Sequence, residues 1–233
     1  MSDEAMREGP ILEVEDLHKV YRMGKVEVHA LRGVSLSVDP GEFVAILGPS
    51  GSGKSTLFHV IGALTPPSSG TVKIEGRDLS KISDHERTEL RKTTVGFVFQ
   101  KFNLLPTLTA RENIAIARDI ADNTRPLSEH FKEVVRILGI EHRLGHRPYA
   151  LSGGEQQRVA IARSIINEPT ILLADEPTGN LDSTNSELVL NTLKDLNKRL
   201  GQTVLMITHN REAAEYCSQR HIEMRDGLIT RDE

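Results

Sequence analysis

Gly48-Pro49-Ser50-Gly51-Ser52-Gly53-Lys54-Ser55 follows directly on the apolar run Phe43-Val44-Ala45-Ile46-Leu47, and that junction decides the fold. Five apolar residues in a row suit a strand buried on both faces in the middle of a sheet. The octapeptide matches G-x-x-x-x-G-K-[ST], a phosphate-loop pattern whose context is a strand before it and a helix after it. Lys54 to Leu64 reads as that helix. Glycines let the backbone curl until its N–H groups face one point, and the helix N-terminus adds partial positive charge there. Lys54 is placed to reach β- and γ-phosphates, and Ser55 to ligate magnesium. With Thr56, the residues Gly48, Pro49, Ser50, Gly51, Ser52, Gly53, Lys54 and Ser55 form a candidate cradle for a nucleoside triphosphate.

Outward from this loop, strands and helices alternate. Ile11 to Leu47 is β-rich and often alternating, as in Val34-Ser35-Leu36-Ser37-Val38, with a turn at Pro40-Gly41. Pro66-Pro67-Ser68-Ser69-Gly70 breaks the chain before a strand near Thr71 to Ile74. Ser83 with Glu86 has the spacing of a capping box, and Val95 to Phe99 reads as a strand. Thr109 with Glu112 is a second capping box, opening a helical stretch to Ile140 that breaks at Asn123 to Pro126. We read it as an inserted helical unit. After Pro148 the pattern predicts a helix to about Asn167, the strand Ile171 to Ala174, an amphipathic helix, the strand Thr203 to Ile207 and a short terminal hairpin. Such alternation implies an α/β fold with a parallel sheet and helices on its faces. Val189, Leu193, Leu196 and Leu200 make a stripe too short for a long coiled coil, which predicts a helix packed on that sheet.

Composition narrows the function classes. With 38% hydrophobic and 27% charged residues the chain is globular, and a net charge of −4 offers no basic footprint for nucleic acid. No nucleic-acid partner is expected. The single cysteine, Cys217, excludes a disulfide within the chain and a cysteine metal cluster, and it fits a reducing cytoplasm. Met1 to Pro10 is polar and acidic and reads as a flexible tail without the apolar core of a signal peptide. No apolar run approaches the roughly 18 residues of a membrane span, so any membrane role is expected to come through a partner.

Two further segments carry chemistry. Ile171-Leu172-Leu173-Ala174-Asp175 is an apolar strand ending in a carboxylate, placed to deliver Asp175 to a magnesium shell. Neighbouring side chains on a strand face opposite ways, so Glu176 must sit at the strand's exit to face the nucleotide as well. There it could orient or deprotonate the attacking water. Leu151-Ser152-Gly153-Gly154-Glu155-Gln156 contains a third capping box, Ser152 with Glu155. A well-started helix explains that much. Two glycines in a first turn, however, cost about 1 kcal/mol each relative to alanine and make sense where something approaches the backbone closely. A helix N-terminus is an anion site, and the chain already has one cradle, so this second one suggests a nucleotide held by another copy of the protein.

The phosphate loop, Gln100 after a strand, Leu151 to Gln156, Asp175-Glu176, Asn180-Leu181-Asp182 and His209 fall in the order of the ABC ATPase family, which the chain resembles from Leu12 to about Thr230. The resemblance implies a P-loop NTPase (RecA-like) core with an antiparallel β subdomain and an inserted α-helical subdomain. It places the core and β subdomain in residues 11–99 and 166–233, and the helical subdomain in about 100–165. It also implies a head-to-tail homodimer with two ATP molecules between the Gly48 loop of one copy and the Ser152, Gly153, Gly154 and Glu155 helix start of the other. Gln100 would sense the magnesium and signal to the membrane partner, Glu176 would act on water, His209 would contact the γ-phosphate, and Asp182 would lie at the dimer seam. Tyr21 stands where the family places a ring against adenine, although a tyrosine in a β-rich stretch is also ordinary core. Asp182 also suits an N-cap, His209 a surface strand end, and Gln100 a polar strand terminus.

Within the family, Gly96 to Pro106 and Leu173 to Asp182 resemble the bacterial lipoprotein-release, macrolide-export and cell-division ATPases. Asn210, where many members have Asp, and Ile116 to Leu127 depart from the pattern. The resemblance implies an ATPase on the cytoplasmic face of the bacterial inner membrane, held there by an integral membrane permease and driving export or extraction. Two alternatives stay open: a mechanical signalling module acting on a membrane protein, and a soluble ABC ATPase of DNA repair or translation.

Overall fold

In the computed structural model, which describes residues 9–123 and 129–233, the run Phe43–Leu47 is buried along its whole length inside a six-stranded sheet. Most of the expected tail, up to residue 8, lies outside the described residues. So does 124–128, which contains most of the break expected at Asn123 to Pro126 and part of the departing segment Ile116 to Leu127.

The strands are β1 (Leu12–Met23), β2 (Val26–Val38), β3 (Phe43–Leu47), β4 (Ser69–Ile74), β5 (Arg77–Asp78), β6 (Val95–Val98), β7 (Ile171–Asp175), β8 (Thr203–Thr208), β9 (Arg220–Arg225) and β10 (Leu228–Asp232). The α-helices are α1 (Lys54–Ile61), α2 (Asp84–Thr93), α3 (Ala110–Ile120), α4 (Glu129–Ile137), α5 (Gly153–Ile165), α6 (Ser183–Leu200) and α7 (Arg211–Cys217). One sheet runs β10-β9-β3-β8-β7-β6, parallel throughout except for the β9–β10 hairpin. The other, β2-β1-β4-β5, is antiparallel.

Strand period places these sheets against two separate cores. Phe43, Ala45 and Leu47 of β3, with Leu172, Ala174, Val204 and Met206, face a core shared with α3, α4, α5 and α6. Val44 and Ile46, with Leu173, Leu205 and Ile207, face a second core shared with α1 and the inward residues of β1 and β2. The stripe on α6 packs as its spacing predicts, with Val189, Leu193 and Leu196 fully buried. All three capping boxes form, at Ser83 and Glu86, Thr109 and Glu112, and Ser152 and Glu155, so each helix start satisfies orphan N–H groups from its own sequence.

Four local readings differ. α1 stops at Ile61, with Gly62 as its C-cap and Ala63 turning the chain out of the helix at positive φ. The strand expected at Val95 to Phe99 ends at Val98, and the helix expected to reach Asn167 ends at Ile165. α7 was not legible, since seven residues give too little periodicity; Asn210 caps it by accepting from the Ala213 N–H at 3.0 Å. No helix among the described residues is long and apolar enough to cross a membrane.

Leu193→Ala should cost about 2–5 kcal/mol through the cavity it leaves, whereas Leu188→Ala, on the exposed side of the same helix, should stay within about 0.5 kcal/mol. Urea unfolding of both variants checks which face of α6 carries the packing.

Candidate active site

The loop after β3 takes its shape from contacts that exclude side chains. Gly48 sits at φ 152°, with Met224 O 2.2 Å from where its Cβ would be, and Gly53 at φ 101°, with Ala30 O at 2.6 Å. A side chain at either position would meet backbone, which cannot move aside cheaply. Gly53 caps α1, and no acidic residue lies in the first turn to neutralise the partial positive charge of the helix end. The Lys54 ammonium lies within the curl, donating to Gly48 O at 2.6 Å and Pro49 O at 2.9 Å. Burial lowers its pKa, and the Glu176 and Asp175 carboxylates partly oppose that.

Opposite the loop, β7 ends at Asp175. Burial raises the Asp175 pKa, partly offset by a hydrogen bond donated by the Ser55 hydroxyl. Glu176 has φ 48°, a left-handed conformation uncommon for a residue with a side chain, while its N–H still bonds Ile207 O on β8 at 3.0 Å. This twist cancels the strand alternation, so that Asp175 and Glu176 line the same cleft. His209, one residue past β8, brings Nδ1 to 2.9 Å from both Glu176 carboxylate oxygens. Gln100 donates to Asn180 Oδ1 at 3.4 Å and its carbonyl accepts from Asn180 Nδ2 at 2.9 Å, tying the chain after β6 to the chain after β7.

These residues surround one cleft of about 840 Å³, lined by Ser50 to Thr56, Gln100, Asp175, Glu176 and His209. Gly48 and Pro49 line an adjoining hollow with His209. Among the described residues no three His, Cys, Asp or Glu side chains gather as a protein-only metal site. A magnesium ion carried on phosphates needs only one or two protein ligands, and Ser55 and Asp175, which line the cleft together, fit that need.

Tyr21, Ser152, Gly153, Gly154, Glu155 and Asp182 do not line the cleft. Tyr21 is paired across the strands with Val28, which does, and its ring lies 5.1 Å from the Lys19 ammonium. Asp182 is the N-cap of α6, accepting from the Asn185 N–H at 2.8 Å. The glycines of α5 have a reason within the chain: a Cβ on Gly154 would lie 2.1 Å from Asn185 Oδ1, and one on Gly153 would lie 3.1 Å from Leu181 Cδ2. Residues at the entry to α6 thus crowd both positions where a Cβ would stand. Glu155 holds Ser152 N–H at 2.8 Å and accepts from Arg143 Nε at 2.7 Å.

Sequence reading passed over several lining residues: Val28 to Ala30 and Arg32 of β2, Ile207, and the turn Asp226-Gly227. It also passed over Gln157, fully buried, whose amide donates to Phe99 O at 3.3 Å and Pro177 O at 2.8 Å. Only Asp226-Gly227 had a local signal, as a hairpin dipeptide.

Asp175 generates a stability test with a definite sign. Its folded pKa is raised, so the ionised form is disfavoured in the fold at neutral pH and the disadvantage disappears below the ordinary aspartate range. Asp175→Asn, whose amide oxygen can still accept from Ser55, should therefore raise the melting temperature of the nucleotide-free protein at pH 7. That advantage should shrink as pH falls through the folded pKa, which thermal melts across pH will check.

A family model described as ABC transporter matches residues 31–179. The chain is 47% identical over 221 residues to the lipoprotein-releasing system ATP-binding protein LolD 2 of Caulobacter vibrioides, covering 94% of this chain and 96% of that one. It is 44% identical over 222 residues to the macrolide export ATP-binding/permease protein MacB of Syntrophobacter fumaroxidans, covering 94% of this chain but only 31% of that protein's length. Among solved structures it resembles the dimeric post-hydrolysis state of the ATP-binding cassette MJ0796 bound to ADP and Pi, with a TM-score of 0.84, 40% identity, and coverage of 95% of this chain and 97% of that one. A mostly parallel sheet with its phosphate loop, a lateral antiparallel sheet and inserted helices are thus common ground with close relatives, and the chain belongs to the ABC transporter family as an ATP-binding domain.

Proposed function

We propose that this chain hydrolyses ATP as the motor subunit of a membrane export or extraction machine, working as a head-to-tail homodimer beneath an integral membrane permease. The observation that carries the chemistry is the convergence of the Lys54 ammonium, the Ser55–Asp175 pair, the Glu176–His209 pair and Gln100 in one cleft. The names of the LolD and MacB relatives support export or extraction, and the second of them joins ATP-binding and permease functions in one protein. Residues 11–99 with 166–233 form the β subdomain and nucleotide core, and about 100–165 the helical subdomain. The machine sits at the cytoplasmic face of the inner membrane.

In this reading the loop N–H groups and Lys54 hold the β- and γ-phosphates, and Ser55, Asp175 and Gln100 hold magnesium. That ion, when bound, screens the phosphate charge. Glu176 accepts a proton from the attacking water. His209 keeps the Glu176 carboxylate aimed through its Nδ1–H and stands beside the γ-phosphate. Tyr21 stacks on adenine from the end of β1. The Ser152 side chain is exposed and its oxygen caps the Glu155 N–H; in the dimer its hydroxyl turns to a γ-phosphate on a second copy, with Gly153 and Gly154 beside it and Asp182 at the seam.

Glu176→Gln keeps the side-chain shape and removes the base, so single-turnover hydrolysis should slow by about 10² to 10⁴-fold with ATP still bound. Hydrolysis near the parental rate at saturating ATP would remove Glu176 from that role. Lys54→Ala should lose ATP binding in a calorimetric titration, and parental affinity would overturn the assignment of the cradle.

A further inference from the structure

The loop after β3 has a neighbour that its own sequence does not announce. β3 and β9 run side by side in parallel, with Leu47 paired to Glu223, so both chains leave the sheet at the same edge. β3 enters the phosphate loop there, and β9 enters the two-residue turn Asp226-Gly227, which returns as β10 with Leu228 paired to Arg225. Both turn residues have positive φ, 51° and 80°, as a type I′ hairpin turn requires. The turn is fitted tightly against the loop. Met224 O occupies the space where Gly48 would carry a Cβ, and Gly227 Cα lies 3.5 Å from the same point on Gly53.

Gly227 also bonds in two directions. Its N–H donates to Ser52 O at 3.0 Å, and its carbonyl accepts from Arg32 N–H at 2.9 Å. One residue therefore ties the phosphate loop to β2, whose Val28 to Ala30 and Arg32 also line the cleft. In a trans peptide the C=O and the following N–H point opposite ways. Drawing the Ser52 carbonyl toward Gly227 thus turns the Gly53 N–H away from the hairpin. That N–H belongs to the cap of α1, where no intrahelical acceptor exists for it.

We propose that the Asp226-Gly227 turn is a positioning strap for the triphosphate: by holding Ser52 O it fixes the peptide that presents the Gly53 N–H to phosphate oxygen, and it keeps loop and β2 in register. The strap acts on binding and not on the water side of the cleft, where Glu176 and His209 lie. It rests on the reading of the Gly48 loop as the phosphate cradle. A side chain at Gly227 would meet Ala30 O at 2.9 Å in a conformation strained for any L-residue, so alanine there should push the turn off the loop.

The test uses the full chain in two forms. One is Gly227→Ala. The other replaces the Gly227 N–H by an ester oxygen, made by ligating residues 1–216 to a synthetic 217–233 segment at Cys217, the only cysteine. The ester deletes one donor and no side chain. For the ester we expect Kd and KM for ATP to rise about three- to tenfold, with kcat within about twofold of the parent and the melting temperature a few degrees lower. Gly227→Ala should move the same quantities further; if it does not fold, the ester decides. An ester protein that melts lower yet binds ATP with parental affinity would reduce the turn to a structural element and overturn the proposal. So would a fall in kcat at unchanged KM. If the parent itself binds no ATP in the same titration, the cradle reading fails, and the strap with it; equal binding by parent and ester defeats the strap alone.

Discussion

A triphosphate is a dense cluster of negative charge, and a protein of net charge −4 must meet it with backbone N–H groups aimed at one point. That constraint governs most of what surrounds the Gly48 loop. The backbone has to curl at positive φ, which calls for glycine at 48 and 53, and the curl has to be held from outside by other backbone groups. β9, the Asp226-Gly227 turn and the Ala30 region of β2 supply those contacts. The parallel order of β9, β3, β8 and β7 then brings the phosphate loop, the Asp226 turn, Thr208 and Asp175 to a common edge of one sheet. Two cores on opposite faces of that sheet keep the edge rigid.

Much of this was legible because its causes are local in sequence. A phosphate loop, three capping boxes and a carboxylate at a strand end each declare themselves within a few residues, and the structure contains all of them. Causes that act across the chain were not legible. The space where Gly154 would carry a Cβ belongs to Asn185, which only the folded α5–α6 contact brings there. Gly62 likewise leaves room for the Phe97 ring, which only the fold brings there. The positive φ of Glu176 resolves a difficulty that strand alternation poses, but no glycine marks it in the sequence. Gln157, buried between Phe99 O and Pro177 O, reads from the sequence as one more polar helix residue.

The residues around the cleft divide into two groups by position. Lys54, Ser55, Gln100, Asp175, Glu176 and His209 share one cavity, while Ser152 and Asp182 sit apart at the starts of α5 and α6, which meet where Gly154 faces Asn185. Within one chain the Ser152 group faces no phosphate loop. In the proposed head-to-tail homodimer a second copy would bring it to one, and ATP itself would become part of the interface. Sedimentation velocity of the Glu176→Gln chain tests that arrangement most directly. With magnesium and ATP the protein should sediment as a dimer, and with magnesium and ADP as a monomer; the same mass in both nucleotides would contradict a site completed by its partner.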